Sequence, residues 1–148
     1  MTSDAEYGPS TWSWVARQVE QYEASGGTAA NTLTDTGIPI ILFSTVGRKS
    51  GLVRKVPLMR VEHDGHYALI ASKGGDPSHP GWYHNLLADD TVVMQDGAEP
   101  WETQVRELEG DERQAWWDRG VAVYPPYEEY QAKTDRRIPV FVTETPKP

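Results

Sequence analysis

Turn signals cut the middle of the chain into segments of strand length, and that spacing leaves little room for anything but a hairpin-built sheet. Residues 38–45 (Ile38-Pro39-Ile40-Ile41-Leu42-Phe43-Ser44-Thr45) form an apolar run bounded by turn residues, the pattern of a buried strand. Pro39 falls near its start, where a missing N–H is tolerated. Gly47 and Gly51 bracket a tight turn, and residues 53–62 read as the next strand. Asp64-Gly65 is a hairpin signal leading into a third strand over 66–72. Residues 91–95 and 100–108 flank the Asp96-Gly97 turn, and 138–142 makes a sixth strand. Strands joined by such short turns must run antiparallel, so the expectation is an antiparallel sheet or barrel.

Helical spacing occurs around this sheet. Trp12, Val15, Val19 and Tyr22 recur at helical intervals between a candidate N-cap, Ser10, and the Gly26-Gly27 stop. A helix over 10–25 is expected, packed on the sheet through that face. Residues 1–27 hold four acids and one arginine, the wrong charge for lying on anionic lipid, so peripheral membrane contact has no support from charge. Residues 1–9 read as loose and 28–37 as a polar linker. Pro80 suits the first turn of a helix running to about 88, and Gly110-Asp111-Glu112 starts another. Tyr124, Tyr127 and Tyr130, spaced i, i+3, i+6, fall roughly on one face of a helical turn. From spacing alone they read as a structural tyrosine face.

Charge is distributed unevenly. The chain of 148 residues, one domain by length, carries net charge −8, yet residues 47–60 hold five basic residues and no acid. A local cationic patch on an acidic protein points to a local anion, while the overall acidity disfavours nucleic acid. Lys73-Gly74-Gly75 follows one hairpin later. Its glycines let backbone N–H groups turn inward as an anion nest, ahead of a helix start.

Elimination narrows the chemistry. There is no P-loop, no G-x-G-x-x-G and no G-x-S-x-G. With no cysteine there is neither a disulfide nor a thiolate, and four scattered histidines do not make a metal set. No signal-peptide pattern or membrane-spanning run is seen, so the cytoplasm is the expected compartment. What remains is a flat anionic ligand held by Arg48, Lys49, Arg54 and Lys73, with aromatic surfaces nearby and a cofactor to carry the chemistry.

At these residues the chain resembles the deazaflavin-dependent nitroreductase family, the actinobacterial quinone and nitro reductases that use coenzyme F420. The resemblance rests on three ordered blocks between Ile38 and Val142. They are Thr45-Val46-Gly47-Arg48-Lys49-Ser50-Gly51 with Arg54 and Pro57; Ala71-Ser72-Lys73-Gly74-Gly75 with Pro80, Trp82, Tyr83 and Asn85; and Tyr124-Pro125-Pro126-Tyr127-Glu128-Glu129-Tyr130-Gln131 with Thr134-Asp135-Arg136 and Ile138-Pro139. It implies a mainly β fold with flanking helices: a split β-barrel of about six antiparallel strands, like FMN-binding proteins, with its core over 38–143. It also implies an oxidoreductase that passes a hydride from reduced F420 to an organic acceptor.

Carried over by the same resemblance, Arg48, Lys49, Arg54 and Lys73 hold the phosphate and glutamyl carboxylates of the cofactor, and Gly74 and Gly75 offer N–H groups. Pro80, Trp82 and Asn85 sit against the deazaflavin end. Ser72, Tyr124, Tyr127 and Tyr130 line the acceptor side, with Tyr127 or Ser72 as hydrogen-bond or proton donor. Val56 and Met59 stand where family members often carry Asn and an aromatic residue, which leaves quinones, nitroaromatics and unsaturated lactones such as coumarins or aflatoxin all open as the small-molecule acceptor. A non-catalytic F420 carrier and an FMN- or haem-binding barrel are the alternatives, and oligomeric state is not legible.

Overall fold

A computed structural model describes residues 6–33 and 36–148. The elements run α1 (Ser13–Ala24), β1 (Ile40–Val46), β2 (Val53–Met59), β3 (Glu62–His63), β4 (His66–Ile70), α2 (Gly81–Ala88), β5 (Thr91–Gln95), β6 (Pro100–Glu107), α3 (Gly110–Val123), α4 (Pro126–Lys133) and β7 (Val140–Thr143), with a 3-10 turn at Lys73–Gly75. The strands form one antiparallel sheet in the order β2-β1-β5-β6-β7-β4-β3. Its two end strands, β2 and β3, are consecutive in the chain. The sheet therefore curls, and its seam is the covalent link Arg60-Val61.

That link corrects the expected single strand over 53–62. The Arg60 N–H still reaches back to the Pro39 carbonyl (3.0 Å), whereas the Val61 carbonyl accepts from the Ala68 N–H (2.9 Å) on the other side of the seam. Beneath the seam the Asp96 carboxylate accepts from Arg60 Nε (2.8 Å) and from the Tyr67 hydroxyl. Burial and the Asp96 hydrogen bond raise the Tyr67 pKa well above the usual phenol value.

Strand β1 is apolar over residues 40–43 because both its faces are covered there. Ile41 and Phe43 enter the main core with Tyr67, Leu69 and Met94, while Ile40 and Leu42 meet Val19 and Tyr22 of α1. Complete burial of a side chain such as Phe43 contributes about 1.5–3 kcal/mol. Strand β6 alternates cleanly, with Trp101, Thr103 and Val105 inward.

The expected N-terminal helix is present but shorter. It starts at Ser13 behind Trp12, and Ser10 Oγ accepts the Trp12 N–H (3.1 Å) ahead of the helix instead of capping it. Val19 and Tyr22 are buried as expected, but Trp12 and Trp14 are 65% and 51% exposed. Residues 6–9 are not loose: Tyr7 bridges to Val53, and the Gly8 N–H donates to the Val53 carbonyl (2.8 Å). The remainder of the segment expected to be loose (1–5) and residues 34–35 of the linker lie outside the described residues.

Candidate functional site

The basic turn joins β1 to β2 and closes on itself. The Gly51 N–H donates to the Gly47 carbonyl (2.8 Å) and the Gly47 N–H to the Leu52 carbonyl (2.8 Å). Gly51 sits at φ 73°, the left-handed region that favours glycine. Arg48, Lys49 and Ser50 are thereby presented to solvent at the tip. Asn85 of α2 braces the turn: its Oδ1 accepts the Arg48 N–H (3.1 Å), and its Nδ2 donates to Thr45 Oγ1 (3.2 Å). Both polar ends of Asn85 are used, so it orients the turn more than it faces a ligand.

Gly47, Arg48, Lys49, Ser50, Arg54, Val56, Gly81, Trp82 and Asn85 line one cleft of about 300 Å³. Trp82 is fixed edge-on against Phe43, with centroids 5.1 Å apart. A second cavity of about 510 Å³ adjoins it through Arg54, Val56 and Gly81, and Trp12 and Val15 of the α1 region form its apolar wall. Arg54 spans the two, donating to the Gly8 carbonyl (2.9 Å). Met59 does not line either cavity. It packs between the α1 cluster and the cluster that holds the tyrosines.

The Lys73 loop follows β4. Three consecutive residues have positive φ: Lys73 (46°), Gly74 (63°) and Gly75 (81°). Gly75 is buried, and its N–H donates to the Ser72 carbonyl (2.9 Å), which corrects the expectation that it points at an anion. Gly74 and the Lys73 ammonium are exposed, the latter 3.2 Å from Ser78 Oγ. Ser72 itself is buried. Pro80, also buried, stands at the N-cap position of α2, one residue ahead of the first turn in which it was expected.

The tyrosines divide. Tyr124 lies before α4 and is not on its face, a correction to the expected single helical face, because Pro125-Pro126 restarts the helix. The Tyr124 and Tyr130 hydroxyls are 2.9 Å apart and both rings are half-buried. The hydrogen bond shared with Tyr130, with burial second, pushes the Tyr124 pKa up to about 12, so its proton is retained at neutral pH. Tyr127, the expected central donor, is 3% exposed and packs against Trp117 in the core. Burial drives its pKa up as well.

One residue escaped the sequence reading as a site element. The Arg136 guanidinium crosses from the chain after α4 and donates to the carbonyls of Asp76 (2.8 Å), Ala71 (3.2 Å) and Ser72 (2.7 Å). The signal was visible only as part of the Thr134-Asp135-Arg136 block; its bonding partners lie sixty residues away in sequence.

A donor set suited to phosphate and carboxylate is thus in place around the basic turn. Among the described residues, the ion pairs involve Lys55, Arg60, His63 and Arg106, and none involves Arg48, Lys49, Arg54 or Lys73. In a chain of net charge −8 these four cations are left without a carboxylate partner among the described residues. The Trp82 face and the adjoining apolar cavity suit the flat part of such a ligand, so the residues present fit an anionic, ring-bearing cofactor.

Comparison with known proteins agrees. The family model described as F420H(2)-dependent quinone reductase matches residues 14–145. An F420H(2)-dependent quinone reductase of Mycobacterium tuberculosis is 34% identical over 107 residues, covering 70% of this chain and 72% of that protein. Among solved structures, an F420-H2 dependent reductase is 60% identical with TM-score 0.68, covering 72% of this chain and 94% of that one. A domain-swapped dimer is 53% identical with TM-score 0.70, covering 91% and 100%. A haem-binding protein of Mycobacterium smegmatis, 17% identical with TM-score 0.56, shares the fold alone. The chain is therefore a member of the F420H(2)-dependent quinone reductase family, oxidoreductases that take reduced F420 as hydride donor.

Proposed function

We propose that this protein reduces a quinone, with the basic turn as its grip on the cofactor. The observation that carries this reading is the set of four cations, Arg48, Lys49, Arg54 and Lys73, that lack a carboxylate partner among the described residues. Arg48, Lys49 and Arg54, together with Ser50, would hold phosphate and carboxylate groups; Lys73, on the loop after β4 and not among the residues that line this cleft, would add a fourth charge. Each hydrogen bond to a charged group contributes about 1.5–3 kcal/mol. Four of them, less the cost of association, reach micromolar affinity, about 8 kcal/mol. Reduced F420 supplies two electrons as hydride. The protein's part is to position the acceptor, exclude water and provide a proton.

For that proton the Tyr124/Tyr130 pair is a better candidate than Tyr127. The paired tyrosines are half-buried and share a hydrogen bond, whereas Tyr127 serves the core. A positioned donor of this kind contributes about 10²-fold or more. Turnover of a soluble quinone by Tyr124→Phe, Tyr130→Phe and Tyr127→Phe tests the assignment. Tyr124→Phe or Tyr130→Phe should lower kcat at least tenfold with F420 binding intact, and Tyr127→Phe should mainly lower Tm. Full turnover in both of the first two variants would exclude the pair. Nitroaromatics and coumarins, run in the same assay, define how far the acceptor range extends.

A further inference from the structure

The Lys73 loop is held in a conformation its sequence does not favour. Glycine enters the left-handed region freely, but lysine at φ 46° pays about 1–2 kcal/mol. Two backbone bonds close the turn, Gly75 N–H to the Ser72 carbonyl (2.9 Å) and Asp76 N–H to the Lys73 carbonyl (3.1 Å), and Lys133 Nζ donates to the Gly74 carbonyl (3.3 Å). Arg136 adds the largest set of bonds from outside the turn: its guanidinium ties together the two ends. Nη1 and Nη2 hold the carbonyls entering it, Ala71 and Ser72, and Nε holds the carbonyl leaving it, Asp76. Nη1 also lies 3.0 Å from His79 Nδ1, and since arginine only donates, that nitrogen accepts and the ring proton sits on Nε2. His79 in turn stacks on Tyr83 of α2, with centroids 4.1 Å apart. One side chain thus fixes the Lys73 loop to the approach to α2, the helix that contributes Gly81, Trp82 and Asn85 to the cleft.

We infer that Arg136 is a positioning residue for cofactor binding: it holds Lys73 and Gly74 in the anion-receiving geometry without itself reaching the ligand. Four of its five N–H donors go to three carbonyls and one imidazole, which makes it a clamp on the loop in the first place. The inference rests on the cofactor reading above and adds to it a residue whose loss acts through the loop.

The test is a fluorescence-quenching titration with F420 at low salt, paired with a thermal melt, for the wild type, Arg136→Lys, Arg136→Gln and Arg113→Lys. Arg113 is the control, a buried arginine that donates to the Ile138 carbonyl (2.6 Å) and stacks over Trp117 away from the cleft. Arg136→Gln should raise the F420 Kd tenfold or more, and Arg136→Lys should raise it less. Arg113→Lys should lower Tm yet leave Kd within twofold. In turnover, the Arg136 variants should raise KM for reduced F420 while kcat at saturation stays within twofold. Wild-type Kd in both Arg136 variants would overturn the inference, as would an affinity loss that Arg113→Lys reproduces degree for degree of Tm. A wild type that does not quench F420 would overturn the cofactor reading, and this inference with it.

Discussion

Gly75 is where the Lys73 loop meets the helix that carries Tyr127 and Tyr130, and substituting it separates two costs that usually come together. A Cβ at Gly75 would lie 2.8 Å from the Tyr130 carbonyl oxygen and 2.9 Å from its Cα, with φ at 81°. Both neighbours are backbone, so they cannot swing aside. The backbone strain costs about 1 kcal/mol, and forcing α4 away adds roughly 1–3 kcal/mol. Gly75→Ala should therefore lose about 2–4 kcal/mol, a fall in Tm of about 4–16 °C for a chain of this size. Gly74→Ala is the internal control. Its φ is 63°, but no atom lies within 4 Å of the added carbon. It should lose only the strain, about 1 kcal/mol, or roughly 2–4 °C. Thermal unfolding of both variants, followed by circular dichroism, decides the matter. Equal losses would show that contact with α4 contributes nothing and that the loop and helix are not locked together.

Three further outcomes are expected. Burial first, then Arg136 and His84, lower the His79 pKa below 6.5, so its neutral form contributes stability that is complete above pH 6.5 and is lost as pH falls through the lower folded value. Melts between pH 8 and 5 should show this loss in the wild type and not in His79→Gln; identical pH slopes would refute it. Asp96→Asn weakens the hydrogen bonds from Arg60 and Tyr67 from charged to neutral strength, about 1 kcal/mol each, so urea unfolding should report a loss of about 2 kcal/mol. Trp12→Ala removes a side chain that is 65% exposed yet walls the 510 Å³ cavity. It should leave Tm within about 2 °C and raise the F420 Kd several-fold, and an unchanged Kd would take that cavity off the cofactor's path.

The fold was legible where local pattern and tertiary environment agree. Residues 38–45 read as a buried strand because β1 is covered on both faces, and the Asp64-Gly65 and Asp96-Gly97 turns fell where their dipeptides put them. The break at Arg60-Val61 was not legible, because the residues on either side have strand character and only the curl of the sheet decides which partner each takes. The basic turn was visible as a charge anomaly. The division of labour among the tyrosines was not, since i, i+3 spacing cannot register that Pro125-Pro126 restarts the helix and turns Tyr127 into the core. Arg136 was hidden for a related reason: a clamp on distant carbonyls leaves no local signature.

The register of β2 against β1 also works as a ruler. Thr45 lies opposite Arg54 and Ile40 opposite Met59, so one rigid strand sets the separation between the anion grip and the tyrosine cluster at five residues, about 17 Å. Substitutions at the Met59 end change the packing between the α1 cluster and the tyrosine cluster while the Arg54 end stays in place at the basic-turn cleft. Inserting or deleting a single residue in β2 would shift the two ends by about 3.3 Å and turn every side chain between them to the opposite face. This scaffold therefore tolerates change by substitution along β2 far better than change in the length of the strand.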